Sequence, residues 1–447
     1  MLFKYNYCKR HVIFALFFSC ASFMCATPTQ SAQPTQNLQV IHPKIGTTAT
    51  SQNGKIKLTL IAKKQNYGGE AKTREGAIYS PKSVNVHPDG SKYYVNSLEG
   101  ATTIVFDAKT NNKIATISHR ITQKHDSLWS KDSGFYKFTH YPKNNHFTGK
   151  PVEATFTHNG RYLWVPYYRR SYDINAQDPS AVAIIDTQSN AIIKLMETGA
   201  LPKMIATSPD GNNVAISHWG DNTVALIDVS SENPQDWKHT KRLVVDYVLP
   251  LNYPLDKSVD RDTGSGYALR GMAFSEDGKY LLVGCMGGGG GIAVIDLADG
   301  TYLGRVLGMM PNVRHLVIKN GYLYLSVNKD GYVQKAKMSD FIESFSQFSA
   351  KKKQAMFKNW QNAKVGAGAR TIELSPDGEY IFVACNAASV LAVVESKSMK
   401  QILQISADSF PVGLDVSKDG KFVYTTAQGR PKYGGGNAVD IYAVEYK

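Results

Sequence analysis

The chain of 447 residues is 43% apolar and 11% aromatic, enough to build its own core, and its formal charge of +14 directs attention to anionic partners. Of its five cysteines only Cys285 and Cys385 lie beyond the first 25 residues, which excludes a fold held mainly by disulfides. A covalently attached c-type haem, a zincin site and an α/β-hydrolase elbow are also excluded, because C-x-x-C-H, H-E-x-x-H and G-x-S-x-G do not occur.

At the N-terminus Lys4, Lys9 and Arg10 precede an apolar run from Val12 to about Ala26 that contains no acidic residue. The run is short for a bilayer span and a polar segment follows, so residues 1–26 read as a secretory signal cleaved after Ala21 or Ala26. Removing its three cations takes the formal charge from +14 to +11. The expected destination is the periplasm or the cell surface, with Cys20 and Cys25 as candidate lipid-anchor positions in poor lipobox contexts. Residues 27–52, rich in Thr, Gln, Ser and Pro, read as a flexible linker.

From residue 53 onward the chain repeats itself. Arg370 to Glu395 reads RTIELSPDGEYIFVACNAASVLAVVE: a short strand, a Ser-Pro-Asp-Gly turn whose glycine can take positive φ, a second strand, a polar break and a third strand. The turn recurs as HPDG (87–90), THNG (157–160), SPDG (208–211), SEDG (275–278), IKNG (318–321), SPDG (375–378) and SKDG (417–420). TTIVFD, AVAIID, TVALID and GIAVID recur behind it as the third strand. Seven antiparallel four-stranded units of roughly 40 residues or more predict an all-β, seven-bladed β-propeller over residues 53–447. The last unit ends after its third strand, so Gly54 to Lys64 (GKIKLTLIAKK), which has no partner of its own, is expected to supply the missing outer strand and close the ring.

Lys82 to Ile117, PKSVNVHPDGSKYYVNS…TTIVFDAKTNNKIATI, resembles the repeat of the YVTN-type (YncE-like) β-propeller family, and SPDG…SHWGDNTVALID at 208–228 matches it again. The resemblance covers about residues 54–447 and implies the propeller fold. It does not choose among enzyme, binding protein and scaffold.

Sorting the connections by face places most insertions on top, at the start of the inner strands. These are 119–150 between blades one and two, 168–180 within blade two, 250–267 between blades three and four, the glycine run 287–291 and the segment 428–437. The glycine run precedes a strand, so it lacks the helix N-terminus of a phosphate loop. On the bottom face, Ser339 to Lys364 spaces Phe341, Ile342, Phe345, Phe348, Met356, Phe357 and Trp360 as two short helices with Ser339 as N-cap. Cys285 and Cys385 end equivalent strands two blades apart, too far for a disulfide.

Aligning the repeats on their turns yields the main site candidate. Inner strands begin at Lys82, Val152, Lys203, Arg270, Arg314, Arg370 and Val412, and five of these seven are cationic. Lys82, Lys203, Arg270, Arg314 and Arg370 are therefore the candidate ligand-binding residues, converging on the channel mouth as an anion trap, with Glu153 as a neutralising neighbour. His119, His125, His140, His146 and His218 are weaker candidates for a metal or for acid-base chemistry, since their spacing matches no rigid ligand motif. The sequence calls for no cofactor and no catalytic residue. It favours an exported, monomeric, non-catalytic binding or scaffold propeller that receives nucleic acid, glycan, a small acid or a protein partner on its top face. The alternative is a lactonase-like hydrolase or lyase using top-face histidines with Glu153 or Asp221.

Overall fold

The computed structural model describes residues 41–66, 71–132, 135–261, 264–429 and 435–447; the signal segment, residues 27–40 of the linker and residues 430–434 of the last insertion lie outside the described residues. Seven sheets, each built around antiparallel strands, form the seven blades of a propeller. Blade one is representative: Pro81–Val86, Lys92–Ser97, Thr102–Asp107 and Lys113–Ser118 run from the channel outward. The predicted turns are built as their residues demand. In SEDG, Ser275 Oγ donates to Asp277 Oδ1 at 2.7 Å and accepts the Tyr280 amide at 2.9 Å, while Gly278 takes φ +71°. The same bonds recur around Ser417, Asp419 and Phe422.

The core is distributed between blades. Tyr93, Ile104 and Phe106 of blade one pack against Tyr424, Val439 and Ile441 of blade seven, and each further blade pair shares a cluster of this kind. Neither face of an isolated blade is covered, so the sheets gain their apolar burial only from neighbours.

Closure follows the expected route. Ile56–Gln65 pairs antiparallel with Ala438–Tyr446, in register from Ile56 opposite Tyr446 to Gln65 opposite Ala438. Ile56, Leu58 and Leu60 are fully buried against Phe382, Val423 and Tyr442. Residues 41–52 also make defined contacts with this blade, however. Thr48–Thr50 adds a fifth strand to this blade, Ile41 exchanges hydrogen bonds with Ser409, and His42 Nδ1 lies 2.7 Å from Asp408 Oδ1. Asp408 is buried 2.5 Å from Lys63 Nζ and beside Asp440. Burial opposes ionisation of Asp408, but bonds with His42 and Asp440 and the Lys63 ammonium hold its carboxyl below the usual range. Burial and the Asp408 charge push Asp440 well above it. Residues 41–52 thus have a fixed electrostatic partner that polar composition alone does not reveal.

Ser339 to Lys364 differs from the two-helix expectation. One helix, Met338–Phe345, is present and its N-cap is Lys337; Gln354–Met356 then pairs in parallel with Thr301–Leu307 of blade four, and Gln361–Lys364 is the outer strand of blade five. The repeat needs that fourth strand, and the requirement overrides the apparent helical spacing. Phe357 and Trp360 still meet Phe341, with ring centroids at 5.5 and 6.0 Å.

Cys285 and Cys385 are free and buried, as the blade count requires, and burial pushes both thiols up to about 12. Native protein is expected to resist a thiol reagent, whereas residues 41–447 in denaturant should give two thiols with or without prior reduction. Truncation after Gln65 is expected to leave an open blade edge and aggregated protein, while truncation after Gln52 should give a folded protein whose Tm is a few degrees lower. Equal Tm values for the two truncations would overturn the closure.

Candidate functional site

The mouth forms because equivalent positions of the inner strands face one axis. Lys82, Lys203, Arg270, Arg314 and Arg370, from blades one, three, four, five and six, line a single open cavity of about 790 Å³, joined by Val152 of blade two. A hydroxyl of the preceding blade fixes several of these positions by binding the main chain. Ser83 donates to the Val152 carbonyl, Ser217 to that of Arg270, Ser326 to that of Arg370 and Thr371 to that of Val412. These hydroxyls escaped the sequence reading, although Ser217 and Ser326 recur at one place in their second strands.

Eight Lys and Arg side chains line the cavity against two acids, Glu99 and Asp260. Several of the eight serve the walls. Lys150 pairs with Glu99 at 2.6 Å, Arg169 donates to the Ile174 carbonyl, and buried Arg261 donates to the carbonyls of Asn175, Ala176 and Gly220. Arg261 joins the insertion of blade two to the link before blade four, a contact between distant loops that no local spacing reveals.

Two of the five aligned cations lie against aromatic rings. Lys203 Nζ lies 4.0 Å from the ring centre of Tyr168 and 5.0 Å from that of Trp219, and the Arg270 guanidinium lies 5.4 Å from Trp219. Such contacts are worth about 0.5–2 kcal/mol each and leave a cation able to face an anion on its other side. Deeper in the mouth, Glu153 sits with Lys203, Arg270, Arg314, Arg370 and His315. Lys82, only 5% exposed, reaches Glu153 Oε1 at 3.4 Å. Burial and the charges of Arg370 and Arg270 hold the Lys82 ammonium well below its ordinary range, with Glu153 opposing them. Five positive charges thus surround one carboxylate.

Farther along the channel the sign reverses. Glu373, three residues beyond Arg370, is pushed up by burial, and Asp415 of the next blade is pushed up to about 7 by burial and by the charge of Glu373. Asp415 Oδ2 accepts the Val86 amide at 2.6 Å, which ties blade seven to blade one.

The five histidines are dispersed. His119 is buried between Thr103 and Tyr167, and His218 is buried between Thr223 and the Gly199 amide. Burial lowers them to about 3 and about 4, so both are neutral structural links. His125 is half-buried and accepts the Thr122 amide at 3.0 Å, His146 pairs with Asp126 at 2.8 Å, and His140 lies between Asp178 and the Leu251 carbonyl. Among the described residues no group of three or more His, Cys, Asp or Glu side chains is arranged to hold a metal ion.

The raised carboxyl of Asp415 gives a pH test. Its native state binds the proton more tightly than the unfolded chain does, so this group costs nothing below about pH 4 and destabilises progressively as pH rises to about 7. Asp415→Asn keeps an acceptor for the Val86 amide. It is expected to raise Tm relative to wild type at pH 8 but not at pH 4; identical differences at both pH values would refute the assignment.

No family model matches the chain, and no curated protein matches it. Among solved structures it is similar to hydrazine synthase of Kuenenia stuttgartiensis, at TM-score 0.56 and 15% identity over 82% of this chain and 96% of that one. It is also similar to the β-propeller domain of Cps50 (Swd1) from Myceliophteria thermophila, at TM-score 0.55 and 11% identity over 82% and 97%. At these identities the likeness shows the propeller fold alone.

Proposed function

We propose that this chain is an exported, non-catalytic binding propeller of the YVTN type whose top mouth receives a small polyanion. The observation that carries the reading is the convergence of Lys82, Lys203, Arg270, Arg314 and Arg370 from five blades on one cavity of about 790 Å³ with Glu153 as the carboxylate set among them. That volume suits a small ligand. A di- or tricarboxylate or a phosphate ester would offset the charges of Arg370 and Arg270 that add to burial in lowering Lys82, and guanidinium forks match both head groups. A concave mouth favours such ligands over duplex nucleic acid or a glycan chain. Export rests on the basic N-terminus and apolar run of residues 1–26, and the repeat type on the motifs at 82–117 and 208–228. Among the described residues no helix is long and apolar enough to cross a membrane.

Calorimetry with citrate, inorganic phosphate and a sugar phosphate tests the reading against a single-stranded oligonucleotide. Arg270→Gln with Arg370→Gln is expected to weaken binding of the small anion by about 1.5–3 kcal/mol for each lost contact and to flatten its salt dependence, with Tm unchanged or higher. Unchanged affinity together with a large loss of Tm would make these arginines structural. Tighter binding of the oligonucleotide than of every small anion would assign the mouth to nucleic acid.

A further inference from the structure

The repeat superposes a second position on the mouth. Where the second strand of a blade meets the start of its inner strand, residues pair as Cys385 does with Ala369 and Val327 with Val313. In six of the blades the residue that follows this pair lines the same cavity as the cations. On blades one to three it is Leu98, Tyr168 and Trp219; on blades five to seven it is Asn328, Asn386 and Gln428. The rim is therefore apolar and aromatic on one side and carries three primary amides on the other.

The two arcs differ in what they leave for a ligand. Tyr168 and Trp219 carry the Lys203 ammonium against their rings, Trp219 also backs Arg270, and the indole hydrogen of Trp219 goes to the Arg261 carbonyl. That arc positions charge. On the amide arc, Asn328 Nδ2 donates to the Ala369 carbonyl at 3.2 Å and to Asn386 Oδ1 at 3.5 Å, and Gln428 Nε2 donates to Ser80 Oγ at 3.1 Å and to the Ser80 carbonyl at 3.5 Å. These bonds use both N–H groups of each amide, so what Asn328 and Gln428 have left is an acceptor oxygen. Asn386 is the converse, because its oxygen receives from Asn328 and its nitrogen is left to donate.

A fully ionised carboxylate or phosphate has no hydrogen to give an amide oxygen, so the cations alone suit it and the amide arc does not. A hydroxyl both gives and accepts. Several hydroxyls on one ring match acceptors on blades five and seven with a donor on blade six between them. At about 790 Å³ the mouth has room for such a ring beside its charged group.

Building on the reading of the mouth as an anion site, we propose that its ligand is a polyhydroxylated anion, a monosaccharide bearing a phosphate or a carboxylate. The charged group lies among Lys203, Arg270, Arg314 and Arg370, and the hydroxyls exchange hydrogen bonds with Asn328, Asn386 and Gln428.

Calorimetry on the full chain with glucose 6-phosphate, glucuronate, inorganic phosphate and cyclohexyl phosphate, a ring of similar size without hydroxyls, tests it. Glucose 6-phosphate or glucuronate should bind at least tenfold tighter than inorganic phosphate and cyclohexyl phosphate. Asn386→Leu and Gln428→Met, on different blades, should each weaken the hydroxylated ligand about three- to tenfold and inorganic phosphate less than twofold. Arg270→Gln with Arg370→Gln should weaken both. Equal affinity for the hydroxylated ligands and for the two phosphates without a sugar would overturn this proposal and leave the anion site standing. Equal weakening of every anion by the amide variants would overturn it too, by making the amides supports of the cations. Absence of binding by all four anions would overturn the anion site itself and this proposal with it.

Discussion

The antiparallel pairing of Ile56–Gln65 with Ala438–Tyr446 is the contact on which the remaining geometry depends. Without it blade seven keeps its contacts with blade one but ends in an unpaired outer edge and loses Ile56, Leu58 and Leu60 from the core it shares with blade six. The pairing is held mainly by apolar burial. Ile56, Leu58 and Leu60 are fully buried, and each contributes about 1.5–3 kcal/mol, whereas the exposed pair of Lys57 and Glu445 adds at most about 1 kcal/mol. Asp408, Lys63, Asp440 and His42 specify where the N-terminal segment sits. One buried ammonium between two carboxylates is satisfied when one acid keeps its proton, and the opposite shifts of Asp408 and Asp440 describe that state.

Closure also makes the mouth electrostatically strained. Lys82, Arg270 and Arg370 would separate in a flexible chain, but their strands are fixed by interblade cores and by the hydroxyl contacts from the preceding blades. The repulsion therefore remains in the folded state, where burial first and then the charges of Arg370 and Arg270 lower the Lys82 ammonium. A rigid scaffold that holds like charges together before a ligand arrives is preorganised for an anion, since little side-chain ordering remains to be done on binding. The reversal to Glu373 and Asp415 deeper in the channel confines that preference to the top.

Much of this was legible in the sequence because a repeat repeats its local physics. Each Ser-x-Asp-Gly turn satisfies itself within five residues, so it can be read without knowledge of its neighbours. An offset of seven residues from the turn Asp or Asn, six in the fifth repeat, located Lys82, Lys203, Arg270, Arg314 and Arg370 on one cavity. Contacts between segments distant in sequence were not legible. His42 meets Asp408 across 366 residues, and the polar composition of its segment gives no hint of it. Phe357 and Trp360 fall at helical intervals from Phe341, yet the chain around them is extended because blade five lacks an outer strand without Gln361–Lys364. His119 and His218 looked chemical in a list of polar residues, and their burial as links between strands shows why a lone histidine is weak evidence for chemistry.

The top-face insertions explain how one scaffold presents two cavities of different electrostatic character. Arg261 donates to the carbonyls of Asn175, Ala176 and Gly220, and its guanidinium lies 4.5 Å from the centre of the Tyr253 ring. One side chain thereby joins the insertion of blade two, a turn of blade three and the link to blade four. Toward the axis this joined wall borders the mouth, where the cations outnumber the acids. Away from the axis the same insertions roof the cavity of Tyr136 and Arg242, where Asp221 answers the guanidinium and polar and apolar side chains share the walls. Charge is thus concentrated where the ring geometry superposes equivalent positions and is paired off where irregular insertions meet. The regular part of the fold gathers like charges because it repeats one position, and the irregular part can bring opposite charges together because it repeats none.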